Sequence, residues 1–167
     1  MTILDKKQME DLVCHMVVDD DSHAIEYKGH AYAFCSRQCR DRFEANPLLY
    51  VGGYNDSSLE HAGHATLKKR VLKLKAALSV DQSAVIVAAL EAMMGIEAVV
   101  VETDRIVITY DLLQATVEQI EATIENSGET LGGGLAAELK RAFIHYIEET
   151  ELDNLEQQQA SAKPGCH

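Results

Sequence analysis

Cysteine stands at positions 14, 35, 39 and 166 of this 167-residue chain. Twenty residues separate Cys14 from Cys35, and three separate Cys35 from Cys39. Thiols so spaced can ligate a metal, undergo redox exchange, or be small buried side chains. In a reducing compartment the first two readings outrank a structural disulfide. Three thiolates make a soft donor set, suited to Cu(I) or Zn(II). Cys35 closes the strand-like run Ala31–Cys35, and Ser36 then offers a helix cap. The helix N-terminus is expected to favour thiolate at Cys35 and Cys39. Cys14 has to come from a separate knuckle and converge on them.

The elements that must position these thiols are legible in outline. Ile25 and Tyr27, then Tyr32 and Phe34, flank Lys28-Gly29, which predicts a hairpin. Ser36 caps a helix expected from Arg37 to Ala45, stopped by Asn46-Pro47. A segment of about 45 residues has a thin core, so a metal staple there is physically reasonable. Residues 52–65, GGYNDSSLEHAGHA, are rich in Gly, Ser, Asn and His and read as a linker.

A second segment begins near Lys69. Leu72, Leu74 and Ala76 alternate with lysines, as in a half-buried strand. A helix is expected over 81–94, capped by Asp81 or Ser83, with Val85, Ala88, Ala89 and Met93 on its buried face. Strands follow at 98–102 and 106–110. A helix over 114–127 presents Val117, Ile120 and Ile124 on one face and ends at Gly128. A short strand at Glu129–Leu131 would complete a ferredoxin-like βαββαβ unit. A last helix over 135–158 carries the stripe Leu139, Phe143, Tyr146 and Ile147, expected to pack on the chain's own sheet, with a homo-oligomer as second reading. The acidic run Glu148, Glu149, Glu151, Asp153 and Glu156 reads as a solvated face.

The expected fold class is therefore α+β. A small Cys-containing hairpin/helix module spans 9–52, a linker 53–67, the ferredoxin-like domain 68–131, the C-terminal helix 135–158 and a tail 159–167. The formal charge is −12, which argues against nucleic acid or an anionic membrane as partner. No apolar run approaches the roughly 20 residues of a membrane span, and no secretory h-region opens the sequence, so a cytoplasmic protein is expected. No nucleophile triad, phosphate loop or paired-carboxylate pattern stands out, so an enzyme is not expected.

The first segment, DLVCHMVV followed by IEYKGHAYAFCSRQCRDRFEANPLLYV, resembles a YHS domain, grouped with the TRASH-type metal-binding modules. The resemblance rests on Asp11, Val13, Cys14 and Met16, then Tyr27, Gly29, Tyr32, Phe34, Cys35, Ser36 and Cys39, then Phe43, Pro47 and Tyr50. It implies metal binding through Cys14, Cys35 and Cys39 in proteins that handle copper or other heavy metals. Leu12 replaces the usual Pro, and His15 the usual Gly. His15 can complete a Cys₃His set typical of zinc, or point outward. Met16 and His30 are further ligand candidates, against core and surface roles. Residues 69–131 resemble the heavy-metal-associated domain, whose Met-x-Cys-x-x-Cys loop binds metal. Here Val80 and Ser83 occupy the two thiol positions, so that site is not carried over. His61 with His64, and Cys166 with His167, are minor metal candidates. A metal transporter or another protein is the partner implied.

Overall fold

The computed structural model describes residues 7–19, 21–52 and 65–161. They fall into two compact units: residues 65–154 form one, and the residues before and after them form the other. Among the described residues no helix is long and apolar enough to cross a membrane.

The first unit mixes short hairpins with helix. Strand β1 (Gln8–Glu10) pairs antiparallel with β2 (Val17–Asp19), and β3 (Ile25–Tyr27) with β4 (His30–Tyr32). The β3–β4 turn is Lys28-Gly29, with φ of 52° and 79°. Positive φ at both central residues matches the twist of the flanking strands. Helix α1 (Arg37–Ala45) starts where the sequence predicts, with the Ser36 hydroxyl accepting from the Cys39 amide. The four-residue helix α2 (Leu48–Val51) follows Pro47. Phe43 sits at the hub of the core, its ring 4.9 Å from Tyr32, 5.0 Å from Phe34, 5.8 Å from Tyr27 and 6.1 Å from Tyr50. One aromatic cluster thus supplies most of the apolar mass of a small unit and fixes α1 against β3 and β4. The pairing of β1 with β2 is not anticipated by the sequence, because three-residue strands are too short to show alternation.

In the second unit, β5 (Leu67–Lys73), helix α3 (Val80–Glu91), β6 (Ile96–Glu102), β7 (Arg105–Asp111) and helix α4 (Val117–Asn126) follow in order. The sheet order is β5-β7-β6, antiparallel throughout. The strand expected at 129–131 is reduced to a single bridge, Leu74 to Leu131, flanked by the bonds Lys75 N to Thr130 O and Gly132 N to Lys73 O. Capping boxes start both helices: Ser79 with Gln82 on α3, Thr116 with Gln119 on α4. The cap of α3 is therefore Ser79, not Asp81 or Ser83. The face of α3 also differs from expectation. Ile86 and Leu90 are buried while Val85 and Ala88 are exposed, because the larger i,i+4 aliphatic pair takes the core side. On α4, Val117, Ile120 and Ile124 are buried as predicted, together with Leu72, Leu74, Ile106, Ile108 and Tyr110 of the strands.

Helix α5 (Leu135–Ser161) departs most from the sequence reading. Its apolar stripe does not pack on the sheet: Leu139 and Phe143 are each 62% exposed and Tyr146 63%. Three of its acids, Glu148, Glu151 and Glu156, face inward instead. Glu148 is buried, with Oε1 accepting from the Tyr110 hydroxyl and, at 3.4 Å, from Arg70 Nη2. Glu148 Oε2 accepts from the Val117 amide at 2.9 Å, at the first turn of α4. Glu151 takes Lys68 Nζ at 2.7 Å on both oxygens, and His145 Nε2 stands 2.9 Å from Glu121 Oε2. In the first unit, Glu156 accepts from the Leu48 amide at 3.0 Å and from Asn46 Nδ2 at 3.2 Å. The expectation of a solvated acidic face holds for Glu149 and Asp153, which are exposed, and fails for Glu148, Glu151 and Glu156, which meet donors that need them, including free amides at two helix starts.

Candidate metal centre

Asp11 follows β1 and opens a tight loop to β2. Its amide donates to Met16 O at 2.8 Å, and its carbonyl accepts from the His15 amide at 2.7 Å. The loop closes with His15 at φ 61°. The Asp11 side chain, fully buried, reinforces it: Oδ1 accepts from the amides of Val13 at 2.8 Å and Cys14 at 3.4 Å. This is the Asx geometry by which aspartate tightens a turn. The other oxygen, Oδ2, accepts from the Cys35 amide at 2.8 Å, 24 residues away in sequence. One carboxylate therefore clamps the Cys14 loop to the end of the β3–β4 hairpin.

The clamp brings the thiols together. Cys14 Sγ lies 3.4 Å from Cys35 Sγ, which lies 3.5 Å from Cys39 Sγ. Cys39 is buried in the first turn of α1; Cys14 and Cys35 are partly exposed. Asp11, Cys14, Cys35 and Cys39 offer ligand atoms that all lie within 4.8 Å of one another, the one such group among the described residues. All three cysteines are free thiols.

These thiols do not all favour the thiolate. Burial above all pushes Cys35 up to about 11. Cys39 is driven far up, first by its bond to Cys14 and then by burial. Only Cys14 is lowered, chiefly by the hydrogen bond from Cys39, with help from the Met16 amide. The expected effect of the helix N-terminus at Cys35 and Cys39 is thus outweighed by burial and neighbouring sulfur. Three thiolates in contact repel unless a cation sits among them, and a cation reverses that balance by displacing their protons. Sulfurs around a tetrahedral ion with metal–sulfur bonds near 2.3 Å stand about 3.8 Å apart. The cluster therefore needs to open by only a few tenths of an ångström, and its donor set fits a soft ion.

The other candidates lie elsewhere. His15 Nδ1 is 2.7 Å from Glu10 Oε1, and His15 is outside the cluster, because the positive-φ turn aims the ring back along β1. Met16 and His30 are exposed, so Met16 is not a core residue. His61, His64, Cys166 and His167 lie outside the described residues. Asp11 is the member that the sequence reading placed in the motif without a task. The signal was available, since an aspartate three residues before Cys14 is an Asx-turn pattern.

Residues 9–54 match the YHS domain family. No curated protein matches the chain. Among solved structures, the NMR solution structure of a ZiaAN sub mutant is similar at 27% identity. It covers 41% of this chain and 99% of its own, with a TM-score of 0.36.

Proposed function

We propose that this chain is a heavy-metal-binding protein, not an enzyme, whose YHS segment takes Cu(I) in preference to Zn(II) through Cys14, Cys35 and Cys39. The observation that carries this reading is the convergence of three sulfurs, two of them on partly exposed residues. Both Asp11 oxygens already accept backbone amides, which favours a three-sulfur site over a four-ligand one. Low coordination leaves room for a partner's thiol to join the ion and take it over, as buffering, delivery or resistance requires. The setting we propose is the cytoplasm, where thiols stay reduced. Residues 68–131 are read as a ferredoxin-like, heavy-metal-associated-like domain without thiols, which positions the YHS segment against a transporter or another protein. The strand order β5-β7-β6, with Leu131 bridging the far edge of β5, supports that reading.

Replacing Cys39 tests the proposal. Cys39→Ser is expected to weaken Cu(I) binding by about a hundredfold or more, since loss of a supporting residue alone costs 10–100-fold. Titration against a competing Cu(I) chelator measures it, and unchanged affinity removes the reading.

The Asp11 carboxylate inside the group favours one alternative, a structural zinc knuckle with an S₃O set. In that case metal removal unfolds the YHS segment, because structural zinc contributes about 10 kcal/mol or more to folding. The Cu(I) reading expects chelation to leave the hairpins and α1 folded, as circular dichroism would show.

A further inference from the structure

We propose that the thiol site is also an oxidation switch: a hydroperoxide joins Cys14 to Cys35 as a disulfide, and the bridge expels the metal. The bridge rests on the placement of the sulfurs; the loss of metal rests on the function proposed above. The three sulfurs lie within 4.8 Å of one another, with Cys14 Sγ 3.4 Å and Cys39 Sγ 3.5 Å from Cys35 Sγ. Access and backbone decide which pair closes. Cys14 and Cys35 are partly exposed, whereas Cys39 is fully buried. Cys14 stands on a loop beside the exposed residues His15 and Met16, so its sulfur can close on Cys35 by a small turn of that loop. Cys39 is set in the first turn of α1, and its amide donates to the Ser36 hydroxyl at 3.3 Å. A bridge from Cys35 to Cys39 has to span that cap and distort the turn, because a disulfide fixes the direction of both Cβ atoms.

Asp11 keeps the reacting pair together without a metal. Its carboxylate accepts from the amides of Cys14 and Cys35, so both backbones hang from one side chain. Two groups held in contact react as one molecule instead of waiting for an encounter. The Cys14 sulfur attacks the terminal oxygen of the hydroperoxide. The O–O bond breaks, an alcohol leaves with the thiol proton, and Cys14 becomes a sulfenic acid. The Cys35 sulfur then attacks the Cys14 sulfur. An S–S bond forms, the S–O bond breaks, and hydroxide leaves with the Cys35 proton as water. The two thiols give up two electrons and two protons, and the hydroperoxide is reduced to alcohol and water. The bridge removes two of the three donors, and Cys39 alone cannot hold the ion. A bound ion engages the same sulfur electron pairs, so metal and oxidant exclude each other.

Hydrogen peroxide added to the full chain, metal-free and reduced, tests this. Lys28, Arg37 and Arg40 place the three cysteines on separate tryptic peptides, so mass spectrometry reads the pairing directly. The peptides of Cys14 and Cys35 are expected to be linked, with Cys39 still open to alkylation after denaturation. Cu(I) affinity, measured without oxygen against a chelator, should fall by about a hundredfold or more on oxidation and return with reductant. With dimedone present, Asp11→Asn should raise the share of Cys14 trapped as sulfenic acid by about tenfold over wild type. A link that involves Cys39 or Cys166, or oxidation without any link, overturns the pairing. Unchanged Cu(I) affinity in the bridged chain overturns the switch. An equal trapped share in Asp11→Asn overturns the part given to the carboxylate. A reduced chain that binds neither Cu(I) nor Zn(II) overturns the proposed function and the expulsion with it, even where the bridge forms.

Discussion

Asp11→Asn is expected to lower metal affinity by about 10–100-fold without touching a sulfur. The carboxylate accepts three amides, from Val13, Cys14 and Cys35, and has no donor of its own. An amide side chain keeps one acceptor oxygen and presents an NH₂ at the other end. In one orientation that NH₂ meets the Cys35 amide head-on; in the other it meets those of Val13 and Cys14. Either way a buried N–H is left unpaired, at a cost of about 1–3 kcal/mol. The Cys14 loop then separates from the β3–β4 hairpin, and with it Cys14 Sγ from Cys35 Sγ. Competition titration of Asp11→Asn beside Cys39→Ser separates the two roles. The serine variant should lose a ligand; the asparagine variant should keep three and bind them more weakly. Affinity equal to wild type would show that the loop holds its place without the clamp.

The largest effect on folding is expected at Glu148. Its side chain is 2% exposed, with three donors on two oxygens. Glu148→Ala leaves the Tyr110 hydroxyl and the Val117 amide without this acceptor and removes the anion beside Arg70. Truncating one partner of a buried charged pair costs about 3–5 kcal/mol. Tyr110 does not escape by ionising, since burial and then the bond to Glu148 drive its phenol well above its ordinary range. Urea unfolding followed by far-ultraviolet circular dichroism should show the second unit melting earlier, with α5 released from the sheet. Glu149→Ala, one residue along and exposed, is the control and should change stability by less than about 0.5 kcal/mol. If the two variants behave alike, Glu148 does not anchor α5.

The sequence alone singles out the three cysteines that the structure brings together. The spacing of Cys35 and Cys39 about Ser36, the Lys28-Gly29 turn, α1 and the buried face of α4 are local matters. Turn type, cap and helical period are written within a few neighbouring residues, and the structure repeats them. The pairing of β1 with β2 and the clamp from Asp11 to Cys35 join residues far apart in the chain, where no local pattern reports contact. Helix α5 shows the limit most plainly. An apolar stripe and an acidic run lie on the same helix, and periodicity describes both faces without saying which turns inward. That choice belongs to the surface it meets. Tyr110, Arg70, Lys68 and the bare amide of Val117 present donors, so Glu148 and Glu151 go in and Leu139, Phe143 and Tyr146 are left facing out.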